Sequence, residues 1–272
     1  MVLVGSRERS EEKTKQVNIP KSYDLIGDIL LIEIPETLRR DKKIIAEKLL
    51  EQHRNVKTVF EKIGGHKGKH RIQGVKCIGG EKRTETIYRE NGVSIKLDVS
   101  KVFFSPRLSN ERKRIASIVK PKESVLVMFS GCGPYPLVIA RNSKAKEIFG
   151  IEINPDAHKY AVENVKLNKF KNIFLYKGNV KKVIPQLKKK FDRIIMPLPK
   201  TGETFLQPAL NASKKGAIIH FYDFSKEEEI PQSSIKKIRR ALRNRKFKLI
   251  RFVKCGQPAP RMHRVCIDFK IL

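Results

Sequence analysis

The stretch Ser124–Pro155, SVLVMFSGCGPYPLVIARNSKAKEIFGIEINP, constrains this chain more than any other. Val125–Phe129 is a short apolar run rich in β-branched residues, the pattern of a strand buried on both faces. Ser130-Gly131-Cys132-Gly133 follows, and its small side chains let a ligand approach the backbone closely. Pro134 suits the first position of a helix running to about Asn142, because its missing N–H would be unpaired there in any case. A second strand is predicted over Glu147–Ile153, with Glu152 near its end. Strand, glycine turn, helix, strand and terminal acid make a nucleotide-binding half, with the acid placed to accept both ribose hydroxyls.

A dinucleotide site wants a third small residue for close helix–strand packing, and Pro136 does not supply it. No lysine-serine pair of the phosphate-loop kind follows the glycines. S-adenosylmethionine has no pyrophosphate, and its methionine carboxylate can rest on a helix N-terminus, where N–H groups and the dipole favour an anion. The pattern suits that cofactor better.

Lys and Arg number 59 against 28 acids, a formal charge of +31. A thermophile's surface usually raises Glu together with Lys, so polyanion binding, nucleic acid first, is the leading explanation. Cys77, Cys132, Cys255 and Cys266 stand far apart without paired spacing, which indicates neither a zinc site nor a disulfide framework and fits a reducing cytoplasm. The histidines show no ligand spacing, and no metal is expected. No apolar run approaches a membrane span, and no signal-peptide pattern opens the chain.

The chain is long enough for one large domain or two modest ones. Residues 1–19 read as a mixed-charge, frayed lead-in. A small α+β domain is expected over 20–100. It comprises a strand over Tyr23–Ile34, a helix over Leu38–Gln52, a strand over Val56–Ile63, a glycine- and lysine-rich loop over Gly64–Gly68, and short strands at Val75–Ile78, Glu85–Glu90 and Val93–Leu97. Asn91-Gly92 is a strong hairpin signal. Over 101–272, strands alternate with helices at the spacing of a parallel doubly wound α/β sheet. Pro197-Leu198-Pro199 follows a strand's carboxyl end, where ligands bind in such sheets. In the helix expected over Gln232–Arg245, Ile235, Ile238 and Leu242 dock on the core. Lys236, Lys237, Arg239, Arg240, Arg243 and Arg245 form either a solvated face or a phosphate-contacting one.

Several separated motifs are together more specific than any one of these features: SYDLIGDILLIEI, HRIQGVKCIGGE, ENGVSIKLDVSKVFFSPRLSNERKRI, MFSGCGPYPLVIA, EINPDAHKYAVENVKLNK, IIMPLPK, GAIIHFYDF and APRMHRVCIDFKI. From about Ser22 to Leu272 the chain resembles the tRNA (guanine-37-N1) methyltransferases of archaea and eukaryotes, whose archaeal relatives also act in wyosine synthesis. The resemblance implies a class I, Rossmann-like methyltransferase domain behind a small substrate-side domain, with S-adenosylmethionine as cofactor. It also implies a monomer acting on position 37 of the tRNA anticodon loop, at guanine ring nitrogen 1 or carbon 7 of 4-demethylwyosine.

Carried onto this sequence, the resemblance gives Arg71 a catalytic role and makes Glu111 the general base. Ring nitrogen 1 of guanine holds a proton at neutral pH, which a carboxylate takes as the methyl arrives, while a fixed arginine stabilises the charge growing on the neighbouring oxygen. Arg107, Phe129, Ser130, Gly131, Gly133, Glu152, Ile153, Asn179 and Pro197 are implied at the cofactor, with Pro197 also in the catalytic set. Arg71, Lys200, Lys236, Arg239, Arg240 and Arg261 are implied at the tRNA. The chain departs from the family at Pro197, where members usually read Asn-Leu-Pro, and at Asn179, where an Asp is usual. An extra N-terminal domain used by many members to check tRNA shape is not expected. Pro-Leu-Pro resembles the branch that methylates 4-demethylwyosine. A sister branch transfers the cofactor's aminocarboxypropyl group instead, and a non-catalytic RNA-binding module is the reading from a different class.

Overall fold

The structure, a computed structural model, describes residues 17–68 and 70–272. Residues 1–16 of the expected lead-in lie outside the described range, and Val17 beyond them is already buried against a helix. Two strands replace the single one expected over Tyr23–Ile34. β1 (Tyr23–Ile26) and β2 (Ile29–Ile32) pair antiparallel about Gly27-Asp28. Gly27 has φ +60°, and a Cβ there would collide with the Thr86 hydroxyl, so the Ile-Gly-Asp sequence is a hairpin turn rather than strand interior.

A 3-10 turn over Glu36–Asp41 and α1 (Lys42–Gln52) cross over to β3 (Thr58–Lys67), which is parallel to β2. β4 (Ile72–Gly80) returns antiparallel, and the sheet order is β1-β2-β3-β4. The loop expected over 64–68 is strand as far as Lys67, because pairing with β4 resumes beyond a register shift. Strand alternation sends Leu30 and Ile32 to one face, against Ile45 and Leu49 of α1. Ile29 and Leu31 point the other way, into a cluster shared with Val93, Ile95 and the second unit. All four β2 residues are therefore buried.

β5 (Glu85–Glu90) and β6 (Val93–Asp98) form a separate hairpin. Its Asn91-Gly92 turn has φ +45° and +78°, the double left-handed conformation that a two-residue hairpin loop requires. After α2 (Ser109–Ser117) come β7 (Ser124–Met128), α3 (Pro134–Asn142), β8 (Glu147–Glu152), α4 (Pro155–Leu167), β9 (Ile173–Lys177), α5 (Val180–Gln186) and β10 (Phe191–Met196). α6 (Leu206–Ala212), β11 (Ser213–Lys226), α7 (Gln232–Leu242), β12 (Phe247–Ala259) and β13 (Met262–Ile271) follow. The seven-stranded sheet runs β12-β13-β11-β10-β7-β8-β9. β11, β10, β7, β8 and β9 are parallel, and β13 is antiparallel to both its neighbours. β11 is long because β13 pairs along it from Ile218 as far as Lys226.

Asn164 of α4 is fully buried and joins the hairpin to the glycine turn. Its Oδ1 accepts from Lys96 N at 2.7 Å, and its Nδ2 donates to the Lys96 and Cys132 carbonyls at 2.9 and 3.0 Å. Removing the amide leaves three backbone groups without partners in a dry site. Asn164→Ala is expected to destabilise the fold by roughly 3 kcal/mol, read as a lower chemical-denaturation midpoint with an unchanged slope.

Candidate active site

The strand order reverses between β7 and β10, and a crevice at the carboxyl ends of the parallel strands follows from that topology. A cavity of about 500 Å³ occupies it. Phe129 and Gly131 come from the β7 end, Glu152, Ile153 and Asn154 from β8, Gly178 and Asn179 from β9, and Pro197, Leu198 and Lys200 from β10. Phe103 and Phe205 close the sides, and Gly68, His70 and Arg71 reach in from the turn between β3 and β4.

The β7 turn is conformationally exacting. Phe129, Gly131 and Gly133 all have positive φ, at 58°, 57° and 92°, and strain at the non-glycine Phe129 is of the kind held at ligand sites. Gly133 caps α3, with Pro134 at its first turn. Ser130 and Gly133 shape this turn without lining the cavity, and the Ser130 hydroxyl is buried without a hydrogen-bond partner. Glu152 accepts the Gly131 N–H on one oxygen and the Asn154 N–H on the other, each at 2.7 Å. Burial, offset by these backbone N–H groups, raises its carboxyl above the ordinary value. A carboxyl raised in this way costs stability as pH rises through its unfolded value, and donors from a ligand would offset that cost. Spare acceptor capacity on both oxygens, facing a cavity, fits a vicinal diol.

Asn179 caps α5, its Oδ1 accepting from Lys181 N at 2.9 Å, which leaves its amide nitrogen for other partners. Phe205 meets Phe129 edge-on with centroids 4.9 Å apart, and the Lys181 ammonium sits 5.0 Å over the Phe205 ring. Leu198 N–H donates to the Met196 carbonyl at 2.8 Å, a tight turn about Pro197. Arg71 has φ +54°, and its guanidinium lies 5.3 Å above the Phe103 ring. Burial first, and the nearby Arg264 charge second, lower its pKa from the ordinary guanidinium value.

Arg71, Phe129, Gly131, Glu152, Ile153, Asn179, Pro197 and Lys200 are thus brought together, as the resemblance implied. Arg107 is not: it is exposed and donates to Asp24 of β1 at 2.7 Å, so it joins the two units instead of lining the cavity. Glu111 also lies outside the cavity lining. It is buried in α2, with both carboxylate oxygens at 2.7 Å from Arg114 and a 2.5 Å bond from the Tyr222 hydroxyl. Lys236, Arg239 and Arg240 are exposed on α7, and Arg261 is exposed in the turn between β12 and β13. These four stand away from the cavity lining, so any hold they have on RNA is peripheral. His70, Phe103, Phe205 and Arg264 were not singled out in the sequence. Of these, His70, Phe103 and Arg264 lie within the quoted motifs, and Phe205 lies outside them.

A family model described as the TRM5/TYW2 methyltransferase domain matches residues 86–250, and one described as the TYW2 N-terminal domain matches 6–84. The likeness therefore begins earlier than Ser22. The tRNA (guanine(37)-N(1))-methyltransferase Trm5b of Pyrococcus abyssi is 40% identical over 93% of this chain and 76% of that protein. Its crystal structure superposes with a TM-score of 0.85, covering 98% of this chain and 82% of that one. Taw22 of Nanoarchaeum equitans, a tRNA (guanine(37)-N(1))/4-demethylwyosine(37)-methyltransferase, is 34% identical over 92% of this chain and its own full length. A 4-demethylwyosine(37)-C(7) aminocarboxypropyltransferase of Pyrococcus horikoshii is 34% identical over 98% and 94%. Two further solved structures contain ligands. A complex of aTrm5 with tRNALeu has a TM-score of 0.84 at 33% identity, covering 93% of this chain and 73% of that one. TYW2 of M. jannaschii with AdoMet has a TM-score of 0.70 at 28% identity, covering 92% and 99%. With both matched regions contiguous along the chain and the cavity built where they meet, this protein belongs to the TRM5/TYW2 methyltransferase family.

Proposed function

We propose that this protein transfers a methyl group from S-adenosylmethionine to the purine at position 37 of a tRNA, at ring nitrogen 1 of guanine, carbon 7 of 4-demethylwyosine, or both. The observation that carries this reading is the cavity itself. A diol-accepting carboxylate and a strained glycine turn face a cation-bearing wall supplied by the first unit. The division is drawn between a small α+β domain over 20–100 and a methyltransferase domain over 101–272, and the two family models, matching 6–84 and 86–250, support a two-part chain. The cavity is complete within one chain, which supports action as a monomer. A tRNA substrate and cysteines that are all free support a cytoplasmic setting.

Glu152 holds the ribose, the Phe129–Gly133 turn takes the methionyl part, and Ile153, Asn179 and Phe205 enclose the adenine. When bound, the cofactor supplies a methyl activated by a sulfonium. Arg71 stabilises the negative charge that grows on the purine oxygen, and Glu111 takes the purine proton. For that role the Glu111 carboxylate must exchange a hydrogen bond now made with Tyr222 or Arg114 for one with the purine. Catalytic hydrogen bonds commonly tighten only in the substrate complex. Lys200, with the peripheral Lys236, Arg239, Arg240 and Arg261, contacts phosphates. Pro197 presents no side-chain amide to the base, which favours the wyosine branch. The aminocarboxypropyl reading shares this cavity and requires attack at a different carbon of the sulfonium.

Mass spectrometry of nucleosides tests the reaction directly, using tRNA that carries guanosine or 4-demethylwyosine at position 37. A gain of one methyl on either base is expected, and a larger adduct selects the aminocarboxypropyl reading. Titration calorimetry is expected to show saturable cofactor binding that Glu152→Ala weakens by about 1.5–3 kcal/mol. Unchanged affinity would remove Glu152 from the site. tRNA affinity is expected to fall steeply with salt, with a log–log slope of several units, and a flat response would leave the +31 charge without this role.

A further inference from the structure

A buried polar track crosses the second unit beneath the cavity. Strand alternation places Tyr222 and His220 on one face of β11, and the register sets them opposite Cys266 and Asp268 on β13. His220 Nδ1 lies 2.6 Å from Asp268 Oδ1, and its Nε2 lies 2.7 Å from an Arg193 amine. Arg193 is always a donor, so Nε2 accepts and Nδ1–H donates to Asp268. Arg193 in turn is paired with Glu123 at 2.6 Å. On its other side Asp268 accepts from Arg114 at 2.7 Å, and Arg114 donates to both oxygens of Glu111. Burial holds His220 below its ordinary value, in the neutral form. The two arginines directed at this cluster make it an ion-pair network rather than a metal cradle.

With His220 neutral, the track carries three carboxylates, Glu123, Asp268 and Glu111, against two guanidiniums, Arg193 and Arg114. Arg251, half-exposed and 3.9 Å from Asp268, brings a third guanidinium to the edge of the network. Arg114 divides its donors between Glu111, its i, i+3 partner, and Asp268 across the sheet. We propose that Asp268 is a positioning residue for methyl transfer: by sharing Arg114 it fixes the Glu111 carboxylate in place while keeping it a competent proton acceptor. This rests on the reading of Glu111 as the base. On guanine the ring N–H bond would break, its proton going to Glu111 and its electron pair to the new N–CH3 bond; on carbon 7 a ring π pair would form the C–CH3 bond and the C–H proton would then pass to Glu111, its electrons restoring the ring. In both cases the methyl–sulfur bonding pair would stay on the cofactor's sulfur.

The groups facing Glu111 are Arg114 from its own helix, Tyr222 from β11, Tyr135 from α3, Cys255 from β12 and Cys266 with Asp268 from β13. Of these, only Arg114 and Asp268 are charged at neutral pH, so their substitution moves the pH–rate profile in opposite directions. The test is single-turnover methyl transfer to tRNA by the full chain across a pH series, with cofactor affinity by calorimetry and thermal stability measured in parallel. Asp268→Asn is nearly isosteric and is expected to lower the plateau rate roughly three- to tenfold and move the acid limb to lower pH. Cofactor affinity should stay unchanged, and Asp268→Glu should recover part of the rate. Arg114→Met is expected to move the acid limb to higher pH. A wild-type rate in Asp268→Asn alongside a dead Glu111→Gln overturns the role of Asp268 alone. A wild-type rate in Glu111→Gln overturns the base assignment and this proposal with it. A lower rate in Asp268→Asn that tracks lost thermal stability, with the limb unmoved, also overturns the proposal and leaves Asp268 purely structural.

Discussion

The two N–H bonds accepted by Glu152 underlie the arrangement of the whole cavity. Through them one side chain at the end of β8 ties down the glycine turn after β7 and the loop that opens α4. Asn154, held by one of these bonds, caps α4 with its side-chain oxygen and donates to the Lys101 carbonyl with its nitrogen. Asn164, further along the same helix, fixes the β5–β6 hairpin and reaches back to the turn at Cys132. Floor, cap and hairpin are therefore one hydrogen-bonded assembly. The energetic demand is that a buried carboxylate faces an open cavity, a local cost of the kind found where ligands bind.

Charge is handled differently in two of the places where it is buried among the described residues. Around Glu90 and Arg112, both almost fully covered, a two-pronged ion pair at 2.5 and 2.6 Å is self-sufficient, and the Ser105 carbonyl takes a further guanidinium hydrogen. Such a pair fixes α2 against the hairpin and has no spare capacity. The track from Glu123 to Glu111 is longer, and Arg193 and Arg114 are each shared between two acceptors. Extended buried networks of this kind are costly as structure, and a functional reason for keeping one is to be expected.

Elements with a local signature were legible in the sequence. The run from Val125 to Glu152 folds almost residue for residue as its pattern indicates, and Asn91-Gly92 makes the expected turn. The turn at Gly27-Asp28 was not read from the sequence: the apolar run around it reads as one strand, because β2 is buried on both faces and loses its alternation. The cavity residues at the ends of β7 and β8 were legible because they fall in one βαβ unit, whereas Asn179, after β9, was named only through the resemblance. The setting of Glu111 was not legible, since its partners Tyr222 and, through Arg114, Asp268 stand more than a hundred positions away. Arg107 misled for the same reason: an exposed arginine near the site has no local mark showing that Asp24 has claimed it.

The hairpin formed by β3 and β4 brings His70 and Arg71 onto a cavity whose floor belongs to the other unit. Anything that fills this space is gripped from both sides, so its binding free energy also serves as adhesive between the units. The reverse holds by thermodynamic reciprocity, since loosening the junction weakens the ligand by the same amount. The Arg107–Asp24 bridge, outside the cavity lining, thereby becomes a remote determinant of affinity. A change at that surface ion pair would alter how long a product stays bound without touching a single atom that the product meets.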